Sequence, residues 1–265
     1  MRRLLSGIER RYFDGDARKG ERHAYILRQL ALRGCVAHVD KYSNIWVEKG
    51  EGKPLVLYSA HMDVDPRVGR RNFTRHRPID RKYVGGILDN AVGCMINILL
   101  AKEGPKKGSA IYVFTASEEV DRKSDRKFAR SAREVVSELR RRKIKPDLCV
   151  AVDVTYPKLL HHHQNIDWSR EHHEIFHPDD KTHCYLDGYS DKKSQMIGEA
   201  LVKKFHHPHV HARDFPGYDE AAVYSRIAPS FAFGPVVRGH FDRPGQKMRL
   251  LHAATALRFL KWIRI

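Results

Sequence analysis

Six side chains in this 265-residue sequence have the types that metal-assisted or acid–base hydrolysis uses: His61, Asp63, Asp89, Glu118, Glu119 and Asp153. They are scattered, but their surroundings are alike. His61 and Asp63 close the run Leu-Val-Leu-Tyr-Ser-Ala-His-Met-Asp, Glu118 and Glu119 close Ala-Ile-Tyr-Val-Phe-Thr-Ala-Ser-Glu-Glu, and Asp153 closes Leu-Cys-Val-Ala-Val-Asp. Such apolar runs read as buried strands. In an open α/β sheet, ligands bind outside the carboxyl ends of parallel strands, so these side chains are expected to converge. Asp89 stands at the centre of Tyr-Val-Gly-Gly-Ile-Leu-Asp-Asn-Ala-Val-Gly, at the entrance of the helically spaced run Ala91, Val92, Met95, Ile96, Ile98, Leu99 and Leu100. An aspartate there can simply cap the helix; in company with the strand-end residues it can also serve a site.

Together with a late histidine, His61, Asp89, Glu119 and Asp153 could make a two-metal centre. A nitrogen and oxygen donor set without thiolate suits zinc, and cobalt or manganese fits the same donors. A carboxylate between two such ions bridges them at roughly 3.5 to 4 Å, as co-catalytic hydrolases require. Asp89 is the natural bridge. Asp63, two residues beyond His61, is expected to orient the imidazole rather than to bind metal. At the Glu118-Glu119 strand end, Glu119 binds metal, while Glu118 takes a proton from water held there and passes it to the leaving nitrogen. His240 is the candidate late histidine because it follows a strand and a glycine, with His252 in the final helix as the second choice.

The elements that must position these groups alternate along the chain. A helix is expected over 17 to 33, strands over 36 to 39, 45 to 47 and 54 to 60, then a long Arg-rich loop from Val64 to Gly86. After the helix that follows Asp89 come strand 110 to 116, a basic helix over 126 to 143 and strand 148 to 152. Residues 157 to 187 are irregular and histidine-rich, with His161, His162, His163, His172, His173, His177 and His183. These read as a solvated loop, with an accessory metal site as the alternative. Helix 190 to 205, strand 208 to 212, helix 220 to 225, strand 230 to 233 and a closing helix 245 to 263 complete the chain. The fold class is α/β, with one mainly parallel mixed sheet flanked by helices on both faces, and residues 1 to 265 forming a single catalytic domain.

Composition narrows the function. The formal charge is +17, concentrated in the loop cations Arg67, Arg70, Arg71, Arg75, Arg77, Arg81 and Lys82 and in the stretch from Arg122 to Lys145. No nucleic-acid-reading motif or interleaved aromatic platform accompanies them, so specific nucleic-acid binding is not expected. The cysteines Cys35, Cys94, Cys149 and Cys184 form no CxxC pair, which argues against a disulfide framework or a cysteine-zinc site. No secretion signal or membrane-length apolar run is found, and the expected location is the cytoplasm.

In this order, His-Met-Asp after an apolar strand, Gly-Ile-Leu-Asp-Asn-Ala-Val-Gly, Thr-Ala-Ser-Glu-Glu-Val and Ala-Val-Asp-Val-Thr resemble the co-catalytic zinc exopeptidase superfamily of aminopeptidases, carboxypeptidases and aminoacyl deacylases. With Gly-Tyr-Asp-Glu-Ala before the last strands, the likeness is greatest to the glutamyl and tetrahedral aminopeptidases. The resemblance implies that His61, Asp89 and Asp153 hold one metal, and that Asp89, Glu119 and a C-terminal histidine hold the other. Departures are plain. The step 89 − 61 = 28 leaves no room for the inserted domain of the tetrahedral branch, so a cage assembly is not implied, and a monomer or dimer is expected. Residues 154 to 190 are too short and irregular for the lid of the carboxypeptidase and deacylase branch, and Phe241-Asp242 follows His240 where that family has a small hydroxyl residue. The expected function is a di-zinc aminopeptidase acting on peptides; the Arg-rich loop either steers acidic peptides to the site or is simply a solvated surface. An N-acyl amino acid deacylase or carboxypeptidase is the second reading, and a basic binding protein with an inactive peptidase fold is the third.

Overall fold

Four parallel strands, Ser109–Thr115, Leu55–His61, Leu148–Val152 and Ser230–Pro235 in spatial order, carry the carboxyl-terminal edge on which the candidate residues lie. The computed structural model describes residues 1–11, 13, 20–64, 83–119, 129–155, 181–187, 191–212, 220–237 and 246–263. Its strands are β1 (His38–Val39), β2 (Ile45–Gly50), β3 (Leu55–His61), β4 (Tyr83–Gly86), β5 (Ser109–Thr115), β6 (Leu148–Val152), β7 (Cys184–Asp187), β8 (Val210–Ala212), β9 (Ser230–Pro235) and β10 (Gln246–Arg249). Its helices are α1 (Arg2–Glu9), α2 (Glu21–Ala31), α3 (Ala91–Glu103), α4 (Arg130–Arg141), α5 (Lys192–Phe205), α6 (Glu220–Tyr224) and α7 (Leu250–Trp262).

The main sheet runs β1-β2-β5-β3-β6-β9-β7-β8. Antiparallel pairs join β1 to β2, β2 to β5 and β9 to β7, so the sheet is mixed around a parallel centre. The central strands are covered on both faces, which is why they read as continuous apolar runs rather than as alternation. Val56, Tyr58 and Ala60 pack with Met95 of α3 and Phe259 of α7. Leu57 faces the other way, into a second core with Val135 and Leu139 of α4 and Tyr224 of α6. Among the described residues, no helix is long and apolar enough to cross a membrane.

Three segments differ from the sequence expectation. The closing helix begins at Leu250, not at 245: Gln246–Arg249 is a strand that pairs antiparallel with β4, itself inside the stretch expected to be loop. Its alternating burial has the two-residue period of a strand, but only Met248 is apolar, so hydropathy shows no signal. In the histidine-rich segment, Cys184–Asp187 is β7, buried beside β9. Finally, Arg2–Glu9 is a helix that sinks Leu4, Leu5 and Ile8 into the larger core. Three apolar residues at helical spacing suffice for that, though basic neighbours surround them.

Candidate metal centre

Parallel pairing sets the strand ends level. His61 lies in register with Thr115, and Ser59 with Ala151, so the residues leaving β3, β5 and β6 emerge on one edge. There the His61 Nε2 atom is 3.1 Å from Asp89 Oδ1 and 3.5 Å from Asp153 Oδ2. Its Nδ1 atom is 3.3 Å from Asp63 Oδ1 and also 3.3 Å from the Asp63 carbonyl oxygen. The other Asp63 oxygen accepts the backbone N–H groups of Glu118 at 2.9 Å and Glu119 at 2.8 Å. Asp63 thus steadies both the imidazole, through its carbonyl, and the turn that carries the two glutamates, through its carboxylate.

Two trios can offer ligand atoms within 4.8 Å of one another: His61 with Asp89 and Asp153, and His61 with Glu118 and Glu119. In this geometry His61 is common to both trios, whereas the sequence expectation makes Asp89 the shared member. Five of the six mid-chain candidates therefore meet, and Asp63 stands behind them. His240 and the cations from Arg67 to Lys82 lie outside the described residues, as do His161, His162, His163, His172, His173 and His177. His252, the second choice for the late histidine, is in neither trio and pairs through Nδ1 with the Val236 carbonyl.

Electrostatics at the edge are those of crowded acids. Burial pushes the Glu118 carboxyl well above its usual range; nearby His61 opposes this, and Glu119, Asp153 and Asp63 add to it. Asp153 is raised by burial and by Asp89. His61 is fully enclosed, and burial alone would lower it, but Asp153, Asp63 and Asp89 together hold it well above the usual imidazole value. Anionic groups packed this closely in a poorly solvated place are compensated by cations. One imidazole nitrogen surrounded by carboxylate oxygens, with no thiol among them, fits a divalent ion of the zinc, cobalt or manganese type.

Several residues that the sequence did not single out hold this edge in place. Asn90, not Asp89, caps α3: its side-chain oxygen accepts from Gly93 N at 2.8 Å, and its amide donates to the Val152 carbonyl at 2.8 Å. Asp89 is thereby released from capping, and its carboxylate turns to His61. Gly93 lets α3 come this close to β6, since a Cβ there would stand 2.1 Å from the Val152 carbonyl oxygen. Arg22 of α2 is fully buried and reaches the Met62 carbonyl at 3.0 Å, between His61 and Asp63, and the Arg11 carbonyl at 2.9 Å. Gln246 accepts from the backbone of Leu88 and Asp89. On the far side of β3, Glu220 accepts from Ser59 Oγ at 2.5 Å, and burial lifts its carboxyl to about 6. The Asn in Asp-Asn-Ala was a readable cap signal. A lone buried Arg or Gln has no periodic signature.

No protein-family model matches the sequence, and neither does any curated protein. Solved structures do match. The structure of PhTET1-12s, a dodecamer in its asymmetric unit, superposes with a TM-score of 0.74 at 14% identity, over 100% of this chain and 99% of that one. The TET1 peptidase of Pyrococcus horikoshii, described as assembling into a tetrahedron or a large octahedral shell, gives 0.67 at 14% identity, over 96% of each chain. Aminopeptidase APDkam598 of Desulfurococcus kamchatkensis gives 0.70 at 10% identity, over 98% of this chain and 93% of that one. The chain has the α/β fold of these solved structures. At such identities the likeness is one of fold.

Proposed function

We propose that this protein is a metal-dependent exopeptidase, an aminopeptidase that hydrolyses the amide bond next to a peptide's amino terminus with the help of two divalent ions. The observation that carries this reading is the meeting of His61, Asp89, Asp153, Glu118 and Glu119 at the carboxyl edge of the parallel strands. The likeness in fold to the TET1 peptidase and to aminopeptidase APDkam598 supports it. His61, Asp89, Asp153 and Glu119 would hold the ions with His240, which stands six residues before Gln246 in the sequence.

Bound ions of this kind polarise the scissile carbonyl and make an attacking water more acidic. The rest falls to the chain's own residues. The Nδ1–H of His61 is given to the Asp63 main-chain carbonyl, with Asp63 Oδ1 equally near at 3.3 Å, so that Nε2, which faces Asp89 and Asp153, would be the nitrogen that gives up its proton to bind an ion. The same Asp63 carboxylate binds the N–H groups of Glu118 and Glu119, so the two glutamates are held at a set distance from the imidazole. Glu118 then accepts a proton from the attacking water and returns it to the leaving amine nitrogen, and the amide C–N bond breaks. The arginines between His61 and Asp89 in the sequence would supply positive charge that favours peptides with acidic residues near the cleaved end.

The test is zinc content together with hydrolysis of aminoacyl-anilides and N-acyl amino acids by the same preparation. Zinc uptake with anilide cleavage is expected. Cleavage of N-acyl amino acids instead would assign the site to deacylase or carboxypeptidase chemistry. Protein that takes up no metal and cleaves neither class would be a binding protein.

A further inference from the structure

Gln246 opens β10 and is buried, with 1% of its surface exposed. Its side-chain carbonyl accepts two backbone N–H groups, Leu88 at 2.5 Å and Asp89 at 3.0 Å. Both belong to the short link between β4 and α3, ahead of the first helical turn, where backbone donors have no acceptor within the helix. A carbonyl oxygen has two lone pairs, and here each has a donor.

Two further features make this contact more than the satisfaction of stray donors. The β4–β10 ribbon is separate from the main sheet, and it places Gln246 opposite Gly86, three residues before Asp89. The side chain is therefore held at a fixed height against the link by backbone pairing, not by its own packing alone. Moreover, one of the two N–H groups is that of Asp89 itself, whose Oδ1 atom lies 3.1 Å from His61 Nε2. With Asn90 anchored to Val152 on one side and Gln246 holding Leu88 and Asp89 on the other, the peptide that carries the Asp89 carboxylate is gripped at both ends.

We infer that Gln246 is a positioning residue for Asp89, and that its amide oxygen, by fixing the aspartate's backbone, sets the metal affinity of the site. The inference rests on the metal-centre reading above. It also bears on His240, which stands six residues before Gln246 in the sequence.

Zinc affinity of the full chain, measured by competition with a chromogenic chelator, tests this without recourse to turnover. Three variants separate the possibilities. Gln246→Glu keeps an acceptor oxygen at the same reach, and zinc affinity within about threefold of wild type is expected, well inside the range that loss of a partner behind a ligand causes. Gln246→Asn is one methylene too short, and Gln246→Leu has no acceptor; both are expected to lose about 10- to 100-fold in zinc affinity. Unfolding of the metal-free proteins is followed in parallel. If Asn and Leu lower the metal-free melting temperature yet bind zinc as wild type does, the role is structural and the inference fails. Should the Leu variant not fold, the contrast between Glu and Asn decides, and equal losses in those two would also overturn it. Wild-type protein that takes up no zinc removes the metal reading and the inference with it, whereas tight zinc binding by wild type and Asn alike removes the inference alone.

Discussion

Two clusters of ligand-type side chains in this protein differ in what surrounds their imidazoles. At the strand edge, His61 is enclosed by Asp63, Asp89 and Asp153, and these carboxylates outweigh burial to hold it well above the usual imidazole value. In the other cluster, His183 stacks on His252 with ring centres 4.8 Å apart and lies 4.3 Å from His209, which is 5.6 Å from His207. There burial comes first, the neighbouring imidazoles and Arg249 add to it, and His183 falls to about 4. Among the described residues the ligand atoms gathered within 4.8 Å all belong to trios around His61. Histidines in number do not make a metal centre; a histidine with acids converging on it from separate strands is a better candidate. The comparison also shows why the two regions should answer differently to substitution, pH and salt.

The sharpest way to break it is at Glu118. Glu118→Gln keeps the shape but cannot accept a proton, so turnover should fall about 100- to 10,000-fold while metal content and fold persist. Near-wild-type kcat with this variant would remove Glu118 from its role. A large effect on stability is expected from Arg22→Met, because the Met62 and Arg11 carbonyls would lose buried charged donors. The cost should be about 3 kcal/mol in denaturant unfolding of the metal-free protein, and a loss below about 0.5 kcal/mol, the level of an ordinary surface change, would show that the guanidinium does not secure the His61 turn.

The histidine stack gives a smaller effect with a definite sign. The folded His183 value of about 4 lies below the ordinary 6.5, so between those values the unfolded chain binds the proton more readily. Stability should therefore be intact above pH 6.5 and decline as pH falls towards 4. Replacing His183 by Phe should remove that part of the decline in urea titrations at pH 7 and pH 5; an unchanged difference between the two pH values would deny the stack a share in it. The smallest effect concerns the Arg-rich loop. The ratio of kcat/KM for matched acidic and neutral peptides should fall as salt shortens the Debye length from about 10 Å at 0.1 M to about 3 Å at 1 M. A flat ratio that also survives Arg70→Ser, Arg71→Ser and Arg75→Ser would exclude the loop from substrate choice.

The parts of the fold that were legible are those written in long apolar runs. β3, β5 and β6 could be read because buried parallel strands need apolar side chains on both faces, and the candidate acids stand where these runs stop. Asp89 was legible as a helix entrance, but the cap proved to be the next residue, a shift of one position that decides where the carboxylate points. β10 was hidden because its buried face begins with a polar residue, Gln246, whose burial makes sense only once the Leu88 and Asp89 N–H groups are placed against it. Arg22 was hidden for the same reason: nothing in the sequence around it says that its guanidinium would reach a carbonyl 40 positions away. Polar contacts between distant segments follow from the finished fold and have no local signature.

The central claim is that the strand-edge acids and His61 form a hydrolytic metal centre, and zinc titration of the metal-free wild-type chain tests it most directly. Aminoacyl-anilide hydrolysis and bound zinc would be followed in the same samples. Activity is expected to be absent without metal and to rise to a plateau at two equivalents of zinc per chain, with Asp89→Ala failing to reach that stoichiometry. Full hydrolysis by the metal-free protein, or two tightly held zinc ions in Asp89→Ala, would contradict it.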